Sequence, residues 1–146
     1  MLKPAVSFLF GLLLVAGATA DTLIKESEAR LPPAPVAAPA SRSITRGPGI
    51  RILSPDTGSP SLASPFALQI AFEPHGGAKI ELPSVKLTYL RSPNVDLTER
   101  IKAGLSEKGI DLKAAEVPPG EHQIRVSVQD SDGRISNAVF KLNVAK

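Results

Sequence analysis

Apolar and polar residues alternate with a period of two through most of the chain after residue 48, a pattern typical of half-buried β-strands. Turn-forming residues interrupt the pattern about every 8 to 12 residues, a spacing typical of an antiparallel β-sandwich. The pattern therefore predicts about seven short strands. The expected strand regions are Ile50–Leu53, Phe66–Phe72, Ile80–Leu82, Val85–Leu90, Ile110–Val117, Ile124–Val128 and Ala138–Val144.

Between residues 96 and 105 the period changes to that of a helix. Leu97, Ile101 and Leu105 stand four residues apart, which places them on one helical face. Asp96 with Glu99 three residues later is similar to a capping box. This segment is therefore predicted to be one short helical insert between strands.

The first 20 residues have the features of a secretory signal peptide. Lys3 supplies a positive charge, Phe8–Ala18 is apolar, and Ala18-Thr19-Ala20 fits the small-residue cleavage pattern. We therefore expect cleavage between Ala20 and Asp21, a location in the periplasm or outside the cell, and membrane contact only before cleavage. An uncleaved anchor is the alternative, but a spanning helix needs about 20 apolar residues.

The next segment, residues 21–48, is predicted to be a flexible linker. Asp21–Arg30 is polar and could form at most a frayed helical turn, and Leu31–Pro48 is rich in Pro, Ala and Ser. Such a composition favours extended, semi-rigid spacers, although a docking motif for a proline-binding partner is the alternative. The folded domain is expected at residues 49–146. Because the chain has no cysteine, this domain must depend on its hydrophobic core.

Two stretches resemble bacterial immunoglobulin-like modules of exported proteins. Ile52–Gly58 is similar to their first strand and its Ser-Pro turn, and Val117–Val126 followed by Asp130 and Gly133 is similar to their last two strands. The resemblance covers residues 49–146 and implies a β-sandwich that acts as a spacer, adhesion unit or accessory domain. The helical insert departs from the usual pattern of these modules.

The charge of the chain argues against nucleic acid as a partner. Without Lys3, 16 basic residues stand against 14 acidic residues, a net charge of +2. The basic residues are scattered, whereas nucleic-acid binding requires a clustered basic face, often with stacking aromatic residues.

The turn Asp130-Ser131-Asp132-Gly133 is the first candidate metal site. Asp130 and Asp132 offer carboxylates, but calcium requires six to eight oxygen ligands, and no acidic residue follows Gly133 where one would complete the shell. A hairpin corner requires only these turn-forming residues. His75 and His122 are the other weak metal candidates, but a closed site needs three or four ligands. We therefore expect a hairpin, no metal and no cofactor.

No catalytic motif stands out in the chain. The Gly-x-Ser-x-Gly elbow is missing, and the carboxylates of Glu73, Glu81, Asp96, Glu99 and Glu116 adjoin turns, where acidic residues are common. The protein is therefore expected not to be an enzyme. A glycan-binding platform would offer exposed aromatic residues, but Tyr89 and the three phenylalanines after residue 20 fall on predicted inward faces.

Binding of a protein partner is the expected function. Leu90 and Val139 lie on predicted outward faces, and an edge strand could accept a partner strand. On the helical insert, the candidate partner-binding residues are Asp96, Glu99, Arg100 and Lys102. The chain is thus predicted to be a non-catalytic module that binds or positions an envelope or secreted protein. The alternatives are a carbohydrate-binding accessory domain and a small metal-dependent periplasmic protein.

Overall fold

The computed structural model describes residues 21–35, 47–56 and 58–146. The predicted signal peptide and the part of the predicted linker at residues 36–46 lie outside the described residues. Within the described ranges, no helix is long and apolar enough to cross a membrane.

The described residues form nine strands in two sheets, with two very short α-helices. The elements are β1 (Asp21–Thr22), α1 (Glu26–Ala29), β2 (Gly49–Ser54), β3 (Phe66–Glu73), β4 (Lys86–Tyr89), β5 (Val95–Asp96), α2 (Thr98–Ile101), β6 (Leu105–Ser106), β7 (Gly109–Glu116), β8 (Gly120–Gln129) and β9 (Ile135–Val144). One sheet has the order β1-β7-β3-β2, with β6 also paired to β7, and the other has the order β5-β4-β8-β9.

The two sheets enclose a single hydrophobic core. On β8, for example, Ile124, Val126 and Val128 are buried, while the residues between them are partly exposed. Leu68 and Ile70 of β3 belong to the same buried cluster. The structure is therefore consistent with the predicted β-sandwich. Every strand pairing is antiparallel except that of β1 with β7, which is parallel.

The predicted hairpin at the end of the chain is confirmed. Strands β8 and β9 pair along their whole length, from Gly120 opposite Val144 to Gln129 opposite Ile135. Gly133 has a φ of +80°, a conformation that glycine adopts without steric cost.

The helical insert is present but shorter than predicted. Helix α2 continues as a 3₁₀ turn at Lys102–Gly104, and Leu97 and Ile101 are fully buried. A side chain on Gly104 would collide with the Asp111 carbonyl, so the insert packs directly on β7. The predicted capping box is wrong. Leu97 occupies the N-cap position, with no side-chain cap hydrogen bond.

The predicted strand at Ile80–Leu82 is also wrong. Ile80 forms only an isolated bridge with Asp130, and Leu82–Ser84 is a 3₁₀ turn. Pro83 has no N–H group to donate to a strand ladder, which favours the turn.

Residues 21–35 pack on the sandwich, and this corrects the prediction that they belong to a flexible linker. We call them the N-terminal strap. Strand β1 pairs with β7, and the backbone N–H groups of Leu23 and Ile24 both donate to the carbonyl of Glu116, at 2.9 and 3.3 Å. The side chains of Leu23 and Ile24 are each only 1% exposed. The strap therefore contributes to the same core as the two sheets.

Two arginines hold the strap in place. The guanidinium of Arg100, in α2, donates two hydrogen bonds to the carboxylate of Glu28, at 2.7 and 2.5 Å, and one to the carbonyl of Leu23, at 2.9 Å. Farther along, Arg91 Nη1 donates to the carbonyl of Leu31 at 3.1 Å. The strap thus runs from the edge of one sheet to the end of β4 in the other.

If the strap is part of the core, Leu23→Ala will lower the free energy of unfolding by about 2–5 kcal/mol, because the substitution leaves a cavity. The matched control is Leu53→Ala in β2, since Leu53 is 60% exposed, and its expected effect is within about 0.5 kcal/mol. Urea unfolding of chains that begin at Asp21 measures both values. Equal effects of the two substitutions would contradict this role for the strap.

Candidate functional site

The acidic turn between β8 and β9 uses its buried carboxylate to shape the hairpin. Asp130 is 1% exposed. Its Oδ1 accepts hydrogen bonds from the backbone N–H groups of Asp132 (3.0 Å) and Arg134 (2.9 Å), and its Oδ2 accepts one from Arg134 Nε (2.9 Å). Burial acts to raise the pKa of Asp130, but the hydrogen bonds and charge of Arg134 outweigh burial and lower it. A metal ion would have to displace these donors.

The two histidines lie far apart. The carbonyl of His75 accepts a hydrogen bond from Arg134 Nη2, which places it beside the turn that follows β8. His122 lies near the other end of β8, about 23 Å away along a strand that rises roughly 3.3 Å per residue. In the described part of the chain, no group of three or more His, Asp or Glu residues is arranged to hold a metal.

His122 belongs to a buried chain of hydrogen bonds. Its Nε2 lies 2.7 Å from the carbonyl of Pro118, and its Nδ1 lies 2.7 Å from the hydroxyl of Tyr89. A carbonyl can only accept, so Nε2 carries the proton, and Nδ1 of the neutral ring accepts from the Tyr89 hydroxyl. Arg91 Nε donates to the same hydroxyl at 2.8 Å.

Burial sets the protonation states of this network. Loss of solvation lowers the pKa of His122, and the positive charge of Arg91 lowers it further, against the opposing effect of the Pro118 carbonyl. Burial also raises the pKa of Tyr89. The network therefore joins a neutral histidine and a neutral tyrosine to Arg91, whose other nitrogens bind the carbonyls of Leu31 and Glu121. Through these two carbonyls Arg91 connects the strap to β8.

The four candidate partner-binding residues of the insert have different roles. Arg100 is committed to the strap, because its guanidinium is largely buried against Glu28. Asp96 accepts a hydrogen bond from the N–H of Thr98 at 2.9 Å, and its bonds to Thr98 lower its pKa. Glu99 and Lys102 form an exposed ion pair at 2.7 Å. Asp96 thus stabilises the start of the helix and Arg100 holds the strap, whereas Glu99 and Lys102 have neither role.

Strand β9 is one edge of its sheet, but its sequence limits strand addition. Lys141 stands on this strand, and exposed lysines on an edge discourage pairing. Near the C-terminal end of β9, the carbonyl of Asn143 already accepts a hydrogen bond from the backbone N–H of Leu62, at 2.7 Å, and so is not open to a partner strand. The outer face of the sheet is a better candidate than its edge.

A groove of about 520 Å³ lies on the outer face of this second sheet, where the strap meets β4, β8 and β9. We call it the outer groove. Leu90 and Val139 are the outward-facing apolar residues that the sequence had indicated. The sequence did not indicate the contribution of the strap or of the loop after β4. The lining residues are Ala34, Pro35, Leu90, Arg91, Ser92, Pro93, Asn94, Gln123, Arg125 and Val139.

The outer groove contains positive charge and no lining carboxylate. Its two charged residues are Arg91 and Arg125. A groove of about 670 Å³ at one end of the sandwich is different, since it is lined by both acidic and basic residues, namely Glu26, Glu116, Lys25 and Lys146. Only the outer groove of these two thus has a one-signed charge that would select among ligands.

Comparison with known proteins adds no assignment. No protein-family model, curated protein or solved structure matches this chain.

The buried state of His122 predicts a pH dependence of stability. Its pKa is below the ordinary 6.5 in the folded chain, so the unfolded chain binds a proton that the folded chain does not. The free energy of unfolding will therefore fall as the pH drops from 7 through 6.5, by up to about 1.4 kcal/mol per pH unit, until the folded-state pKa is reached.

His122→Gln should remove this slope, and His75→Gln, in an exposed loop, should keep it. Denaturant unfolding of the three proteins between about pH 5 and 8 avoids most carboxylate titration. If the slope is unchanged in His122→Gln, the assignment to the buried imidazole is wrong.

The hairpin corner can be tested with two matched substitutions. Asp130→Asn replaces one carboxylate oxygen with an NH2 group, which can only donate. The single remaining oxygen cannot accept from both the backbone N–H groups and the guanidinium of Arg134. We expect it to lower the melting temperature clearly more than Asp132→Asn, because Asp132 is exposed and makes only one side-chain contact to Arg134. A melting temperature that rises with added calcium and loses this rise in Asp130→Asn would contradict the structural role.

Proposed function

We propose that this protein is an exported, non-catalytic immunoglobulin-like module that binds a protein partner in the bacterial envelope through the outer groove. The observation that supports the proposal is the groove itself, an open surface lined by both apolar and polar residues. Val139 on its wall is 54% exposed. Apolar residues with a few convergent polar groups are typical of binding sites.

The groove is built from distant parts of the chain. The strap supplies Ala34 and Pro35, the loop after β4 supplies Pro93, and β9 supplies Val139. The backbone N–H of Ser92 donates to the carbonyl of Pro32 at 2.9 Å, which holds the strap against this loop. The surface is therefore preorganised, and the groove would lose less conformational entropy when a partner binds.

Export of the chain is part of this proposal. It comprises cleavage between Ala20 and Asp21 and a final location in the periplasm or outside the cell.

A glycan is a less suitable ligand for the described surface. Tyr89, the single tyrosine of a chain without tryptophan, is fully buried. Its ring therefore offers no stacking face to a sugar.

The proposal predicts that one substitution in the groove will strongly reduce partner capture. A chain beginning at Asp21 serves as bait against an envelope extract, in its native form and as Val139→Asp and Leu53→Asp. Leu53 is a matched control, since it is a similarly exposed apolar residue on β2, in the other sheet. A central contact costs 2 kcal/mol or more when lost, so capture should fall by about 30-fold for Val139→Asp and be unchanged for Leu53→Asp.

Thermal melts must show that both variants are folded. Equal capture by all three baits would overturn the proposal. Enrichment of no protein, together with binding of the native chain to a glycan panel, would favour the carbohydrate-binding alternative.

A further inference from the structure

Arg125 lies inside the outer groove, on the outward face of β8. It stands opposite Thr88 of β4 on one side and opposite Val139 of β9 on the other. The residue is partly exposed. Hydrogen bonds between a guanidinium and a carboxylate are charge-assisted and stronger than neutral ones.

No carboxylate of the described residues pairs with this arginine. Within the same residues, Arg125 takes part in no ion pair and no side-chain hydrogen bond, whereas Arg51, Arg91, Arg100 and Arg134 all have such partners. Asp96 and Arg125 are both paired with Thr88, on opposite sides of β4. At the usual strand spacing their Cα atoms are therefore about 9.6 Å apart. Glu121, four residues along β8, lies 3.9 Å from Lys141.

Arg91, the other charged residue of the groove, is already occupied. Three of its nitrogens donate to Tyr89, Leu31 and Glu121. Among the described residues, Arg125 is therefore the lining cation whose five donors are all available, whereas three of the five donors of Arg91 are in use.

We propose that the outer groove binds an acidic, extended segment of the partner protein, and that Arg125 pairs with a carboxylate of that segment. This inference depends on the proposed function and specifies its partner. Charge complementarity supports it, because two arginines and no acid line the groove, and Glu121, which lines the adjoining hollow, lies 3.9 Å from Lys141. The apolar walls formed by Leu90, Pro93 and Val139 would contact apolar residues beside the carboxylate.

The geometry favours an acidic peptide over a polyanion such as nucleic acid. One available guanidinium can bind one carboxylate in a two-pronged arrangement, with specificity. A nucleic acid would require a row of cations along its phosphates, whereas only two arginines are among the described residues that line the groove. Gln123 and Asn94, which also line the groove, can bond the backbone of an extended segment.

The first test uses defined peptides and ¹⁵N-labelled protein that begins at Asp21. The probes are capped peptides of alternating valine with glutamate, glutamine or lysine, and inorganic phosphate. We expect the glutamate peptide to shift the amide signals of the groove. The glutamine and lysine peptides should bind at least about tenfold more weakly, since neither can form the charge-assisted pair with the guanidinium.

The variants then locate the charge. Arg125→Gln should weaken binding of the glutamate peptide about tenfold or more, but should not change the already weak binding of the glutamine peptide. Arg51→Gln is the matched control, since Arg51 is an exposed arginine on β2, in the other sheet. Equal binding of the three peptides, equal loss in both variants, or shifts caused by phosphate alone at the same sites would overturn the inference.

The capture experiment separates the two proposals. If Val139→Asp loses the envelope partner while Arg125→Gln retains it, the proposed function stands and the acidic specificity is wrong. If Arg125→Gln also loses the partner and Arg51→Gln does not, both are supported. Capture that depends on Arg125 but disappears after nuclease treatment would identify a nucleic acid and overturn the acidic segment.

Discussion

The fold depends on the attachment of the N-terminal strap, and the ion pair between Arg100 and Glu28 is central to it. Both side chains are mostly buried, at 23% and 15% exposure, and hydrogen bonding to each other lowers the pKa of Glu28 and raises that of Arg100. Loss of one partner from such a pair leaves an uncompensated charge, which is strongly destabilising. The same guanidinium donates to the carbonyl of Leu23. One side chain therefore binds both the Glu28 carboxylate and the backbone of the strap.

This attachment also explains why the helical insert exists in its present form. Leu97 and Ile101 are buried in the core while Arg100, between them, faces the strap. The insert thus contributes apolar side chains to the core and hydrogen-bond donors to the strap. Its mixed charges had indicated a contact surface for a partner, but the most basic member of the set serves the fold itself.

At the other end of the strap, Arg91 links the fold to the outer groove. Its guanidinium joins the strap and β8 through two carbonyls, and its Nε reaches the buried pair of Tyr89 and His122. No buried side-chain polar atom of the described residues lacks a hydrogen-bond partner, so this network is compatible with a well-packed core. Arg91, which lines the groove, is therefore held by groups on three different segments, namely the strap, β4 and β8.

The sequence by itself determined the longer strands β2, β3, β4, β7, β8 and β9, the final hairpin and the inward faces, because a period of two records which side chains meet the core. It also determined that Tyr89 is buried and that Leu90 and Val139 face outward. Only the tertiary structure decided the role of the strap and the presence of the groove. The contacts that create them join Glu28 to Arg100 and Leu31 to Arg91, 72 and 60 residues apart. Local periodicity contains no record of such distant pairs, and two apolar residues at Leu23 and Ile24 are too few to form a pattern.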